Sequence, residues 1–551
     1  PGGGVHVLAV ELGHLLGLDF SSHDELRGLL TEARQLRDRA FFHASQLLRA
    51  WAAQGRGLVL LLNDVHWADD GTLDFIDHLR TAHADLPALL LLATRPSLAE
   101  RRPAWFDRAA SAHAALSPDS ATPLADAPGG APLQIELSPL NIGKSAELVG
   151  ELLGRLQPLP HGLVDLIVEH GEGNPFHMEE LVNLMVDQGV IVTTAEPHGL
   201  DDAATVLGVA AAGGIWHFHP EKLKALTVPP TLVGVLQARL DALPSDERRT
   251  AQLASVIGMR FWDASLAALG APVSTSLHGL LQRDLAAEQT PGSLAGLREF
   301  IFKHQSLHQV AYDSVLKRVK RDLHARVAHW LVSLPGAPPL ELVAEHFERG
   351  GDPHRALDYW QRAAEAAARS YANAQALAHA ERALALTSAG DLPRRYALTL
   401  LRCRVLELLP DREQRATGLG ALQAIADEAG NGLWQAECRV LQSRYCFDAG
   451  DDLDALEHAR AAVDLVPAGA SAHAAEAHAS LARCLLRLGR HAEFLEQSML
   501  ALHLARTAAD RRVEGMVLNE LGMQADDEGD YGLAMERYAE ALVLHRAIGN
   551  R

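Results

Sequence analysis

Four segments in the C-terminal part of the chain share one frame, and that frame narrows what the region can fold into. GDPHRALDYWQRA begins at Gly351, GDDLDALEHARAA at Gly450, GRHAEFLEQSMLA at Gly489 and GDYGLAMERYAEA at Gly529. The last three recur at intervals of 39 and 40 residues. Small residues stand five and twelve positions after the glycine, as in Ala356 and Ala363 or Ala534 and Ala541. Residues seven apart on a helix share a face, and alanine there lets two helices approach closely. From Leu340 to Arg551 strand signal is almost absent. The expectation is a series of helix–turn–helix units that bury their apolar faces only by stacking on one another. Leu521-Gly522 supplies the matching pair in the first helix of the last unit, whereas Phe494 replaces the first small residue in one unit. A generic helical bundle is the plainer alternative.

The N-terminal part reads differently. Leu58–Leu62 is a run of five aliphatics that ends in Asn63-Asp64, and Ala88–Ala93 is a second such run that ends in Thr94-Arg95. Short aliphatic runs bounded by turn formers and separated by a helical stretch, here Asp70–Leu79, imply parallel strands with both faces covered. An acid at the carboxyl end of such a strand sits where open α/β sheets bind their ligands. It serves equally well as a helix N-cap, and Asp69 and Asp70 read as caps. Helices are expected over Val5–Leu18, Asp24–Leu36 and Phe41–Ala53, and a short strand over Gln134–Leu137.

Composition removes several function classes. The chain of 551 residues carries 50 Lys and Arg against 70 Asp and Glu, a net charge of −20. That balance argues against nucleic acid as the partner of the surface at large. The one basic run, Lys317-Arg318-Lys320-Arg321, reads as a solvated helix face. No apolar stretch is long enough to span a bilayer, and the first residues lack the basic flank of a secretory signal. Four cysteines without CxxC spacing read as free, buried thiols in a reducing, cytoplasmic setting. The 28 histidines show no HExxH pattern, and none is assigned as a metal ligand.

With these segments in hand a resemblance becomes specific. NDVHWADDGTLDFIDHL, Asn63–Leu79, resembles the Walker B segment of the STAND class of signal-transduction ATPases, an AAA-related P-loop group. It is most similar to the large LuxR-type and cyclase-associated bacterial regulators, whose segment reads acid-Asp-Leu-His-Trp-Ala-Asp. ATRP resembles the sensor strand end of that class, and LSPL, Leu137–Leu140, the strand before its lid helices. GEGNPFHMEEL, Gly171–Leu181, is similar to its GNPxxxEEL segment. The order from Thr231 to Leu331, three close helices, a fourth at Leu277–Asp284, a β-wing at Leu297–Phe302 and then FKH with a helix pair, resembles its winged helix. The glycine frame is similar to tetratricopeptide repeats.

The resemblance implies an incomplete P-loop-type α/β core over 1–140, a helical lid with an insert over 141–225, a winged-helix-like domain over 226–335 and a tetratricopeptide-like all-α solenoid over 340–551. It implies ATP and Mg²⁺ as cofactors. Asp64 would hold the metal, Arg95 would sense the γ-phosphate, Asn63 and Thr94 would flank the phosphates, and Pro175 would line the adenine. A protein or small-molecule inducer on the solenoid and nucleotide-dependent self-association are implied as partners. Direct DNA contact is not, because the winged helix of this class serves as an internal lever. Two departures weaken the site. Asn63 stands where an acid is usual, and a neutral amide is a poorer Mg²⁺ ligand than a carboxylate. No GxxxxGK[ST] loop precedes the first strand. The one GKS, Gly143-Lys144-Ser145, follows the wrong segment and has Ser138 in place of the motif's first glycine. The sequence therefore reads as starting after the phosphate loop, and this chain is expected to bind ATP weakly, with any hydrolysis slow and regulatory. A tetratricopeptide scaffold with a degenerate core is the alternative.

Overall fold

The computed structural model describes residues 33–52, 57–68, 70–82, 86–103, 105, 134–156, 158–194, 215–226, 228–290, 292–294, 296–335, 339–370, 372–409, 411–467 and 469–547. It divides into two compact units, Ile135–Tyr359 on one hand and Pro1–Gln134 with Trp360–Arg551 on the other.

The leading segment runs α1 (Ala33–Ala52), β1 (Leu58–Leu62), a 3₁₀ turn (Val65–Trp67), α2 (Asp70–Ala82), β2 (Ala88–Leu92) and α3 (Ser97–Arg101). Helix α1 joins the end of the helix expected at Asp24–Leu36 to the one expected at Phe41–Ala53, since Arg37–Ala40 contains no breaker. Val5–Leu18, residues 24–32 and Asp69 lie outside the described residues. Strands β1 and β2 pair in parallel, Leu58 opposite Ala88 through Leu62 opposite Leu92. Two parallel strands need a crossover, and α2 provides it. Leu73 and Ile76 of α2 pack with Val65 and Leu98, and Leu62, Leu90 and Leu92 lie against them. The opposite face carries Val59, Leu61, Leu89 and Leu91, each at least half exposed. The expectation of two covered faces is thus corrected, because a continuous aliphatic run is compatible with either arrangement. Gln134–Leu137 is also corrected. It pairs with no strand among the described residues, and Leu137 is 91% exposed. A four-residue strand has no stability without a ladder partner.

The unit Ile135–Tyr359 begins with α4 (Ile142–Leu152), α5 (His161–Gly171) and α6 (Pro175–Asp187), followed by β3 (Ile191–Thr194), β4 (Ile215–Phe218) and α7 (Pro220–Ala225). Strands β3 and β4 pair antiparallel within the region expected to be a lid with an insert, 141–225. Val149, Leu163, Ile167, Met178, Leu181, Met185 and Trp216 form its core. Then come α8 (Leu232–Ala242), α9 (Ser245–Ile257), β5 (Arg260–Trp262), α10 (Asp263–Ala268), α11 (Val273–Gln282), β6 (Ala286–Gln289), β7 (Glu299–Phe302), α12 (Gln305–Asp313), α13 (Lys317–Ser333) and α14 (Leu340–Gly350). The three strands form an antiparallel sheet in the order β5-β7-β6. Phe261 and Phe300 are fully buried, and Phe302 nearly so. At the start of α13, Lys317, Arg318 and Arg321 are exposed, and Lys320 is partly buried.

The rest is helical: α15 (Pro353–Arg369), α16 (Asn373–Leu386), α17 (Leu392–Leu406), α18 (Arg412–Ala429), α19 (Gly432–Ala449), α20 (Asp452–Leu465), α21 (Ser471–Arg487), α22 (His491–Thr507), α23 (Arg511–Asp527) and α24 (Tyr531–Ala547). The frame glycines Gly351, Gly450, Gly489 and Gly529 all adopt left-handed backbone, φ between 71° and 84°. After each, the next amide donates five residues back, for example Arg490 N–H to the Leu485 carbonyl at 2.9 Å and Asp530 N–H to the Ala525 carbonyl at 2.9 Å. This cap closes the helix and turns the chain, so the repeat in sequence is a repeat of helix ends. Ala455, Ala462, Ala534 and Ala541 are buried as the frame expected, and Phe494 is fully buried in the same role. Gly522 admits the Tyr538 ring, which would lie 2.7 Å from any Cβ there. The thiols of Cys403, Cys438, Cys446 and Cys484 are free, and all but Cys446 are buried. Among the described residues no helix is long and apolar enough to cross a membrane.

Candidate functional site

The first cluster forms where β1 and β2 end. The ladder continues one step past the strands: Ala93 N–H donates to the Leu62 carbonyl at 2.8 Å, and Val65 N–H to the Ala93 carbonyl at 3.0 Å. Because the strands are parallel and in register, Asn63-Asp64 and Thr94-Arg95 leave the sheet at the same carboxyl edge. All four side chains are exposed. Asp64 adopts left-handed backbone, φ 56°, and its carboxylate makes no capping hydrogen bond to the 3₁₀ turn. That conformation costs a non-glycine residue about 1 kcal/mol. It sends the chain sharply from the strand into the turn that buries Val65 and His66. The carboxylate is left facing solvent beside a guanidinium-bearing loop. The N-cap role considered for acids in this stretch therefore does not fall to Asp64.

A second cluster lies in the other unit and brings three quoted segments together. Leu140 N–H of LSPL donates to the Gly173 carbonyl of GEGNPF at 2.8 Å. Glu172 and Gly173 are consecutive left-handed residues, φ 48° and 74°. A Cβ at Gly173 would lie 2.5 Å from the Leu140 carbonyl oxygen, so only glycine permits the approach. Asn174 then caps α6, its Oδ1 accepting from Phe176 N–H at 3.1 Å, and Pro175 occupies the first turn, exposed. The Phe176 ring meets His304 of the FKH segment with centroids 3.9 Å apart. Burial lowers the His304 pKa from its ordinary value. Gly143-Lys144-Ser145 forms the first turn of α4, where Lys144 pairs with Glu147 at 2.7 Å.

The sequence reading missed the charge cluster behind this loop. Arg239 of α8 is buried and donates from Nη1 to Glu180 at 2.6 Å and from Nε to Asp187 at 2.9 Å, both on α6. Its Nη2 donates to the Arg283 carbonyl at 3.1 Å. Arg283 in turn reaches Asp187 at 3.1 Å and Glu247 of α9 at 3.0 Å. Burial, then Glu180 and Asp284, raise the pKa of neighbouring Glu179. The signal was available: Arg239 sits on the face of α8 marked by Val235, Leu236 and Leu240, all buried. A cation on an apolar stripe needs a buried acid, and the second Glu of FHMEEL is that acid.

No protein-family model and no curated protein matches the chain. Among solved structures it is similar to a Signal Transduction ATPase with Numerous Domains (STAND) protein with a tetratricopeptide repeat sensor from Pyrococcus horikoshii. That match has 11% identity and a TM-score of 0.36, and it covers 99% of this chain and 75% of that one. The apo form of RapI matches at 9% identity and a TM-score of 0.33, over 60% of this chain and 91% of that one. Both likenesses are remote, and the functional reading rests on the residues themselves.

Proposed function

We propose that the chain carries the switch and sensor parts of an ATP-dependent signal-transduction regulator. On this reading 1–140 belongs to a nucleotide-binding α/β core, 141–225 is its lid, 226–335 a winged-helix-like lever, and 340–551 a tetratricopeptide-like solenoid that takes a protein or small-molecule inducer. The supporting observation is the joint presentation of Asn63-Asp64 and Thr94-Arg95 on one carboxyl edge of two parallel strands. An exposed carboxylate and an exposed guanidinium fit the metal and the terminal phosphate of Mg-ATP. Asp64 would hold Mg²⁺, with Asn63 and Thr94 beside it, Arg95 would meet the γ-phosphate, and Pro175 would line the adenine. The nucleotide, when bound, supplies the phosphate whose presence or loss distinguishes the two switch states. The neutral Asn63 and the lack of GxxxxGK[ST] in this sequence make the site weak on its own.

Those same two features favour a second reading, in which the core is degenerate and the repeats alone act as a scaffold for a protein partner. Nucleotide titration separates the two. This chain is expected to show no saturable ATP binding, and a chain with a phosphate loop placed ahead of Pro1 micromolar binding. No binding by the latter would leave the scaffold standing and refute the switch.

A further inference from the structure

A row of hydrogen bonds through two buried histidines joins α9, α12, α13 and α14. Tyr312 Oη on α12 lies 3.0 Å from His324 Nε2 on α13. His324 Nδ1 lies 2.9 Å from His346 Nδ1 on α14, and His346 Nε2 lies 3.1 Å from the carbonyl oxygen of Ile257, the last residue of α9. His324 is 1% exposed and His346 3%. A carbonyl only accepts, so His346 Nε2 carries hydrogen and its Nδ1, in the neutral ring, is an acceptor. His324 must then donate from Nδ1, which leaves its Nε2 to accept from the Tyr312 hydroxyl. The one backbone carbonyl thus fixes both tautomers and the direction of every bond in the row.

Among the charged groups that act on the two rings there is no carboxylate. From α12 the row is faced by Tyr312, His308 and Asp313, with His308 Nε2 held 3.0 Å from the Ser255 carbonyl oxygen of α9. From α13 comes Lys320, 4.0 Å above the Tyr312 ring and 3.7 Å from Asp313. From α14 come Arg349 and Glu345, paired with each other at 2.6 Å. From α9 come only the backbone carbonyls of Ser255 and Ile257. Both carboxylates are occupied by cations, and among the described contacts neither reaches a histidine nitrogen. A first proton fits on His324 Nε2 if the Tyr312 hydroxyl turns to accept, but it creates a buried imidazolium between Lys320 and Arg349. A second must go to His346 Nδ1, where it would set N–H against N–H across 2.9 Å.

We propose that this row is a proton-operated latch, which opens on double protonation and frees α14 from α9 and α13. Burial first, and then the like charges of the other histidine, Arg349 and Lys320, push His324 down to about 3. Burial likewise pushes His346 down to about 4, with Arg349 adding to it and the Ile257 bond opposing. The closed form therefore binds fewer protons than the open form. Closing is fully favoured above the ordinary histidine value of 6.5 and is weakened as pH falls from there toward 4. Two histidines that return to ordinary values on opening raise the opening equilibrium roughly a thousandfold between pH 8 and pH 5.

Hydrogen exchange of the whole chain, corrected for intrinsic rates, reads this directly. Protection over α14 is expected to fall about a thousandfold by pH 5, while α4, which has no histidine, changes less than tenfold. In the variant carrying His324→Gln and His346→Gln, which keeps donors and acceptors but cannot titrate, the acid loss over α14 should shrink to that of α4. An equal fall in α4 and α14 of the wild type, or full acid loss in a variant that is folded at pH 8, overturns the proposal. If that variant does not fold, imidazole nitrogen NMR of the wild type decides. Hydrogen on Nδ1 of His324 and on Nε2 of His346 is expected at pH 7.5; any other tautomer pair, or a charged ring there, overturns it.

Discussion

Arg239→Met tests the charge cluster behind the GNPF loop. The substitution keeps the buried stem and removes the guanidinium that holds Glu180 at 2.6 Å and Asp187 at 2.9 Å. Asp187 retains Arg283 at 3.1 Å, but Glu180, only 5% exposed at its side chain, keeps just a 3.4 Å contact from Asn183 Nδ2. Breaking a buried ion pair from one side costs about 3–5 kcal/mol, because a carboxylate is left desolvated and uncompensated. The whole of that cost falls on the packing of α6 against α8. Arg239→Lys, a point charge without the fork, should recover only part of it. Adding Glu180→Leu to Arg239→Met should recover more, since the stranded charge is then gone. Hydrogen exchange over α6 and α8 measures the effect as a loss of protection of about two to four orders of magnitude in the single variant. A change below tenfold in Arg239→Met, or no recovery in the double variant, would refute the reasoning.

Further predictions concern the backbone and the thiols. Gly173→Ala places a methyl 2.5 Å from the Leu140 carbonyl at φ 74° and should cost at least about 2 kcal/mol, seen as lost exchange protection in α6. Ala509 fills the left-handed helix end before α23, φ 55°, where other repeats have glycine. Ala509→Gly should therefore stabilise the solenoid by up to about 1 kcal/mol in denaturant titration, and destabilisation would contradict the cap assignment. Burial pushes the Cys403 and Cys438 thiols up to about 12, so alkylation at pH 8 should reach the half-buried Cys446 first. Labelling of Cys403 ahead of Cys446 would count against this packing.

Local signals carried much of the fold. The glycine frame located the solenoid because each repeat ends its helix with the same left-handed cap, a property of one residue and its neighbours. Asn63-Asp64 and Thr94-Arg95 were legible as a pair because each follows its own aliphatic run. Their register, Leu62 opposite Leu92, is not visible in either run alone. The exposed face of Val59, Leu61, Leu89 and Leu91 was missed for a related reason: an unbroken run of aliphatics does not reveal how many faces are covered. The Arg239 cluster and the His324–His346 row escaped because their partners are 59 and 22 residues apart and meet only through tertiary packing. Gln134–Leu137 finds no ladder partner among the described residues, and alternation within one segment does not supply one.

The central claim is that Asp64 belongs to a magnesium-nucleotide site rather than to a turn alone. Calorimetric titration of ATP, with and without Mg²⁺, into the chain bearing a phosphate loop ahead of Pro1 tests it most directly when repeated with Asp64→Asn. The account predicts that Mg²⁺ strengthens binding by the unsubstituted protein and that this gain disappears in Asp64→Asn, while metal-free binding stays the same. A magnesium-dependent gain of equal size in both proteins would contradict it and reduce Asp64 to a residue that turns the chain.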